Sequence, residues 1–348
     1  MQSARLRALS FIVAFVALGA CGDGRREGVW AAGSSTVFPF STRVAENFAR
    51  VTGAAAPRVE ALGTGGGIQA FCQGVGGRTP DIANASRQMK ASEFDLCRRN
   101  GVTHIVELKI GYDGIVVASA REGADMPLRL QDLYLGLARE TPRADGALGL
   151  NGARNWRQVN PALPDQRIQV YGPPPTSGTR DAFLELGMAP GAALIPSLAA
   201  LEEADGDRFE AVAHTLREDG GWVDSGENDN AILQTLTRTP GSLGVFGFSF
   251  LEQNLDVVKA QTIDGVAPSA DAIAEGRYPL ARSLYIYVKA QHVGVTPGLK
   301  QFLTEFLSDA SAGRNGYLQD RGLVPLPAAE LAEQRAIAEA LRPMARPE

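Results

Sequence analysis

The sequence is poor in the residues that catalysis and metal binding most often use. It has three histidines and three cysteines in 348 residues. His104, His214 and His292 lie in unrelated contexts, and each reads as a surface or capping residue rather than a catalytic base. No two cysteines have the CxxC spacing of a redox or zinc motif, and no clustered histidine completes a metal site. Positive charge is scarce as well. The net charge is −5 and no basic run follows the N-terminus, which argues against a nucleic-acid partner. A small anion stays open, because local N–H groups and one or two arginines decide its binding. Long apolar runs, internal repeats and low-complexity segments are missing after the first twenty or so residues.

That first apolar run is informative. Arg5 and Arg7 precede residues Ala8 to Ala20, a stretch too short to be a comfortable membrane-spanning helix. It ends Leu18-Gly19-Ala20-Cys21, which resembles a bacterial lipobox; an ordinary signal peptide with a coincidental cysteine is the alternative. The expectation is a lipoprotein signal peptide over 1–20, lipidation at Cys21 and a polar tether over 21–28. The mature chain would be exported to the periplasm and held at the membrane only through a lipid anchor. In that oxidising compartment the default for Cys72 and Cys97 is a disulfide, with two buried free thiols as the alternative.

Roughly 320 residues remain after processing, enough for two domains or one large one. With 45% hydrophobic and 21% charged residues, they have the composition of a globular α/β protein with ample core. Four strand-end loops stand out. The strand-like Ile168-Gln-Val-Tyr171 leads through Gly172-Pro-Pro-Pro-Thr-Ser-Gly-Thr-Arg180 into a helix-like run from Asp181. There Ser177, Gly178 and Thr179 offer hydroxyls and free N–H groups at the positive end of a helix dipole, with Arg180 alongside. Upstream, Val29-Trp-Ala-Ala32 leads to Gly33-Ser-Ser-Thr36 and a helix carrying Val37, Phe38, Val44, Phe48 and Val51. Pro39 falls in its first turn, where a missing N–H costs nothing. Arg58-Val-Glu-Ala-Leu62 precedes Gly63-Thr-Gly-Gly-Gly67 and a helix through Ile68, Phe71 and Cys72; a flexible turn is the alternative reading of the glycines. Asp81-Ile-Ala-Asn-Ala-Ser-Arg87 ends a fourth strand in a hydroxyl and a guanidinium. Each loop alone could be an ordinary helix cap. Four together, two with arginine, point to a tetrahedral oxyanion.

At these residues the chain resembles the periplasmic phosphate-binding proteins of the phosphate-specific ABC transporter. The similarity extends through Lys109-Ile-Gly-Tyr-Asp-Gly-Ile-Val-Val117, Gly226-Glu-Asn-Asp-Asn230, Pro240-Gly-Ser-Leu-Gly-Val-Phe-Gly-Phe248 and Gly322-Leu-Val-Pro325. The resemblance implies an α/β, type II periplasmic-binding-protein fold: two lobes, a cleft and two interlobe crossings. It implies no catalysis, no cofactor and no metal. The implied partners are inorganic phosphate and the membrane permease of the transporter; another oxyanion or small organic acid on the same fold is the alternative.

The same resemblance implies the site. Ser35, Thr36 and the N–H of Val37 would hold phosphate from one lobe, with Thr64 and Gly65 beside them. Ser177, Gly178 and Thr179 would close from the other. Relatives carry an arginine shortly before Ser-Gly-Thr, where this chain has Pro173-Pro-Pro175, so Arg180 and Arg87 are the available substitutes. Relatives also place an aspartate at the position of Ser86, and Asp113 is the candidate replacement proton acceptor. The chain is expected to cross between lobes at Ile115–Ala118 and to return at Val245–Phe248. Lobe I would then comprise 29–113 and 251–348, and lobe II 114–250. Residues 145–152 read as a surface loop, 190–207 as helical with loops, and 330–341 as a closing helix.

Overall fold

A computed structural model describes residues 28–226 and 228–348, so the expected signal peptide and Cys21 lie outside the described residues. Strands β1 (Trp30–Gly33), β2 (Arg58–Ala61) and β3 (Ile82–Ala85) run parallel, with Gly33 level with Ala61 on one side and Asn84 on the other. Helix Phe38–Thr52 connects the first two and buries Phe40, Val44, Ala45 and Phe48. Val51, expected on that apolar stripe, sits in the last turn beyond the core and is exposed. The next helix spans Gly63–Phe71, so the glycine run expected as a loop is itself the helix start. The reason is packing: a Cβ on Gly67 would lie 2.2 Å from the Cα of Gly33, so the helix lies directly on β1.

Strand β4 (Ile105–Ala120) is 16 residues long. After it come the short hairpin β5 (Glu140–Pro142) and β6 (Leu148–Leu150), so that strand β6 takes up 148–150 of the expected loop at 145–152 and the rest stays turn or irregular chain. Then follow β7 (Val170–Gly172), β8 (Trp222–Asp224), β9 (Leu243–Gly247), β10 (Val258–Ala260) and β11 (Ala281–Lys289). The main sheet has nine strands in the order β2-β1-β3-β11-β4-β9-β7-β8, with β10 also paired to β4. Residues 105–114 of β4 pair antiparallel with β11, and 115–118 pair antiparallel with β9. One strand therefore belongs to both halves of a two-lobed α/β protein, and the partner changes at Gly114–Ile115. A Cβ on Gly114 would lie 2.7 Å from Ile273 Cδ1, which keeps this point free of side chain.

The sequence sets the first crossing at Ile115–Ala118, and β4 changes its pairing partner at the start of that run. At the expected return the pairing is different. Val245–Phe248 was the expected return, yet β9 stays in the second lobe as the partner of 115–118. Strand β10 follows it there, pairing with 118–120. The chain passes back only at β11, whose Ala281 faces Gly114. By this pairing, residues 251–280 go with the second lobe rather than the first. The apolar run 243–248 is buried on both faces in either arrangement, so its composition could not distinguish a crossing strand from an interior one.

The helices at 190–207 are the end of Ala189–Ala193, Pro196–Ala204 and the start of Gly206–Ala213. The closing helix spans Ala328–Ala340 and is fixed to β4 by Glu330, which takes Lys109 Nζ at 2.8 Å and the Tyr112 hydroxyl at 2.9 Å. His292, expected at the surface or a cap, is buried. Its Nδ1 shares a 2.8 Å hydrogen bond with Asp81, which also accepts from Thr296 Oγ1 at 2.7 Å and the Trp30 N–H at 2.8 Å. This carboxylate ties the start of β1 to the chain after β11.

Cys72 and Cys97 form a disulfide with Cα atoms 4.1 Å apart. It joins the ends of helices Gly63–Phe71 and Ala91–Arg99 within a small apolar cluster with Phe71, Met89 and Phe94. Closing a loop of this length restricts the unfolded chain, so replacing both cysteines with alanine should cost about 3 kcal/mol. Urea denaturation checks this: an unchanged midpoint would mean that the bond contributes nothing, and ready thiol labelling of the unreduced wild type would mean that it is not formed.

Candidate functional site

Because β1, β2 and β3 are parallel, the loops after them emerge on one edge of the first lobe, the usual position of ligand sites in α/β sheets. From the second lobe, the segment after β7 approaches the same edge. Ser177 begins helix Gly178–Phe183 and caps it, its Oγ accepting the Thr179 N–H at 3.3 Å. A Cβ on Gly178 would lie 3.0 Å from Thr36 Cα and 3.2 Å from the Ser35 carbonyl oxygen, so glycine is what lets the two loops touch. Across this contact Ser35 Oγ donates to Asp181 at 2.7 Å and Thr36 Oγ1 faces the Gly178 carbonyl at 3.4 Å. A cavity of about 430 Å³ opens beside it, lined among others by Thr36, Asp113, Ser177, Gly178 and Thr179.

The remaining sequence-predicted residues group differently. The Val37 N–H faces Ser34 Oγ at 3.4 Å. Thr64 Oγ1 accepts the Ser86 N–H at 3.1 Å and lies 3.0 Å from Ser86 Oγ, joining the second and third of the four loops in chain order within the first lobe. Gly65 lies close to Arg87, whose Nη2 would be 4.0 Å from an added Cβ. The Arg87 guanidinium is held by Glu93 through two bonds of 2.9 and 2.7 Å. Arg180 donates to Asp224 at 2.6 Å and to the Pro173 carbonyl at 3.1 Å, and stacks on Trp222. Neither arginine chosen from the sequence is bonded to a hydroxyl of the loops.

Arg282 is, and sequence reasoning missed it. It lies opposite Asp113 in the β11–β4 register. Its Nη2 donates to Thr36 Oγ1 at 2.9 Å, its Nη1 pairs with Glu185, and its Nε lies 3.6 Å from Asp113 Oδ2. That Nε and that Oδ2 are both buried without a hydrogen-bond partner. A signal existed: Arg282 continues the alternation of Leu284, Ile286 and Val288, all fully buried, and a charge on such a face is anomalous. Asp181 and Glu185, four residues apart on one helical run, were also missed. A second cavity of about 320 Å³ is lined by Ser86, Arg87, Glu185, Arg282, Ser283 and Tyr285 among others. Arg282 thus lines one cavity and reaches two residues that line the other. Among the described residues, no group of three or more His, Cys, Asp or Glu could hold a metal ion.

Hydroxyls, N–H groups and a buried guanidinium at the junction of two α/β lobes define a binding protein with a polar interlobe cleft. The chain belongs to the PBP superfamily, whose domain matches residues 20–310. Protein SphX of Synechococcus elongatus is 32% identical over 312 residues, covering 88% of this chain and 80% of that protein. The phosphate-binding protein PstS of Staphylococcus saprophyticus is 28% identical over 352 residues, covering 97% and 94%. Among solved structures, a possible phosphate binding protein from Planctomyces limnophilus matches with a TM-score of 0.70 and 26% identity, over 90% of this chain and 98% of that one. PstS from Borrelia burgdorferi, with a TM-score of 0.58 and 18% identity over 86% and 99%, shares the fold.

Burial pushes the Asp113 carboxyl above the ordinary aspartate range, and the neighbouring Arg282 only partly opposes this. A carboxyl raised by folding contributes fully to stability below its unfolded pKa, and the contribution is lost as pH rises through the raised folded value. Asp113→Asn has no such loss. Without phosphate, the variant should resist urea better than wild type at pH 7.5, with the advantage shrinking toward pH 4. A variant less stable at pH 7.5 would show that attraction to Arg282 outweighs the cost of burial.

Proposed function

We propose that this protein is a non-catalytic receptor that binds inorganic phosphate between its lobes and delivers it to the membrane permease of an ABC importer. The observation that carries the reading is the convergence of Thr36 and Ser177–Thr179, from opposite lobes, on one cavity beside Arg282. A buried phosphate needs a donor for nearly every oxygen, and hydroxyls, backbone N–H groups and a guanidinium supply donors. The names of the Staphylococcus and Planctomyces limnophilus proteins support the same ligand. Hydrolysis would require a hydroxyl activated by a suitable base. Ser35 Oγ is instead committed to the Asp181 carboxylate across the contact between the two loops.

Asp113 replaces the aspartate missing at Ser86 in this reading. It lines the cavity and has an oxygen free to take the proton of a protonated phosphate. Sulfate offers no proton. Phosphate at a thousand times Kd should stabilise the fold by about 4 kcal/mol. Sulfate should give little shift, and Thr36→Val should lose most of the phosphate effect. Thermal unfolding with each anion decides this; stabilisation by sulfate alone would replace phosphate with another oxyanion as the ligand.

Cys21, in the lipobox-like Leu18-Gly19-Ala20-Cys21, is the proposed lipidation site and the sole anchor of the exported chain. Cys21→Ser should lack the acyl mass and leave the membrane fraction. Wild-type protein recovered unlipidated and free of the membrane would remove this part of the proposal.

A further inference from the structure

We propose that Arg282, on the strand that returns to the first lobe, is the guanidinium that binds the anion, and that it takes over the role the resemblance gave to an arginine before Ser177. This deepens the phosphate reading and rests on it. Three observations carry it. First, the position before Ser177 is occupied by Pro173-Pro-Pro175, and the substitutes Arg180 and Arg87 are held by Asp224 and Glu93. Second, the Arg282 side chain is only 9% exposed and bonds Thr36 Oγ1, the hydroxyl at the contact between lobes. Third, its Nε is buried without a hydrogen-bond partner although Asp113 lies 3.6 Å away; Arg180 Nε is likewise unpartnered, but that guanidinium lies between Asp224, the Pro173 carbonyl and the Trp222 ring of its own lobe. A buried guanidinium with an unsatisfied N–H has donor capacity left for a ligand.

Glu185 decides between this role and a structural one. It pairs with Arg282 Nη1 from the second lobe, and its side chain is 51% exposed at the rim. If Arg282 merely tied the lobes together, Glu185 would be its purpose. If Arg282 binds the anion, Glu185 is a competing negative charge, and removing that charge leaves the guanidinium to the ligand.

The test is calorimetric titration of the purified mature protein with inorganic phosphate. Wild type is titrated first, and absence of binding there would refute the phosphate reading itself. Given wild-type binding, Arg282→Gln should raise Kd about 10- to 100-fold, the usual effect of losing a hydrogen bond to a charged group. Arg282→Lys, which keeps the charge but loses the planar fork, should raise Kd by less. Glu185→Gln should bind phosphate at least as tightly as wild type. An unchanged Kd in Arg282→Gln overturns the proposal, as does weakening in Glu185→Gln equal to that in Arg282→Gln. Should Arg282→Gln fail to unfold cooperatively, Arg282→Lys decides: a raised Kd supports the proposal and an unchanged one overturns it.

Discussion

The architecture depends on one strand keeping two sets of hydrogen bonds. Residues 105–114 of β4 are completed by β11 and residues 115–118 by β9, so neither lobe has a finished sheet without it. Its hydrogen-bond ladder runs from one lobe into the other, which joins the lobes through main-chain bonds. Arg282 and Asp113 face each other immediately beside the point where the partner changes. The charged pair of the cleft is therefore built on the sheet, not on loops, and its geometry follows that of the junction.

The strand-to-helix turns were legible in the sequence because their chemistry is local. Ser177 caps its helix, and Gly33 and Gly178 stand where backbones approach closely; each follows from a few neighbouring residues. The glycine run at 63–67 was legible as glycine and misread as loop. Its purpose lies in Gly33, which no local pattern links to Gly67. The return crossing failed for the same reason. Whether β9 or β11 carries the chain back depends on which half of β4 each one pairs with, and both are apolar strands bounded by glycine or polar turns.

The charge of the site shows the limit most clearly. Arg87 and Arg180 were chosen because they adjoin the hydroxyls in sequence. Adjacent residues on a strand or helix point in different directions, and both guanidinia turn to carboxylates of their own lobe, Glu93 and Asp224. Arg282 is 246 residues from Thr36 and hydrogen-bonded to it. The sheet order β1-β3-β11 brings them together.

Three carboxylates stand near this guanidinium or its neighbouring hydroxyls: Asp113, Asp181 and Glu185. In an anion site that is a contradiction only if affinity is the sole requirement. A buried cation without a counter-charge would shed much of its stability to desolvation, and partners on either side reduce that cost. Glu185 is half exposed at the cleft margin, where water screens it, and Asp181 is occupied by Ser35 Oγ, whereas Asp113 is buried on the cross-strand position itself. Screening makes Glu185 a weak opponent of a ligand. Burial makes Asp113 a strong one, except toward an anion that brings a proton to the carboxylate. In the proposed reading, the exclusion of fully deprotonated anions then requires no additional pocket shape, because it follows from one carboxyl buried beside the guanidinium.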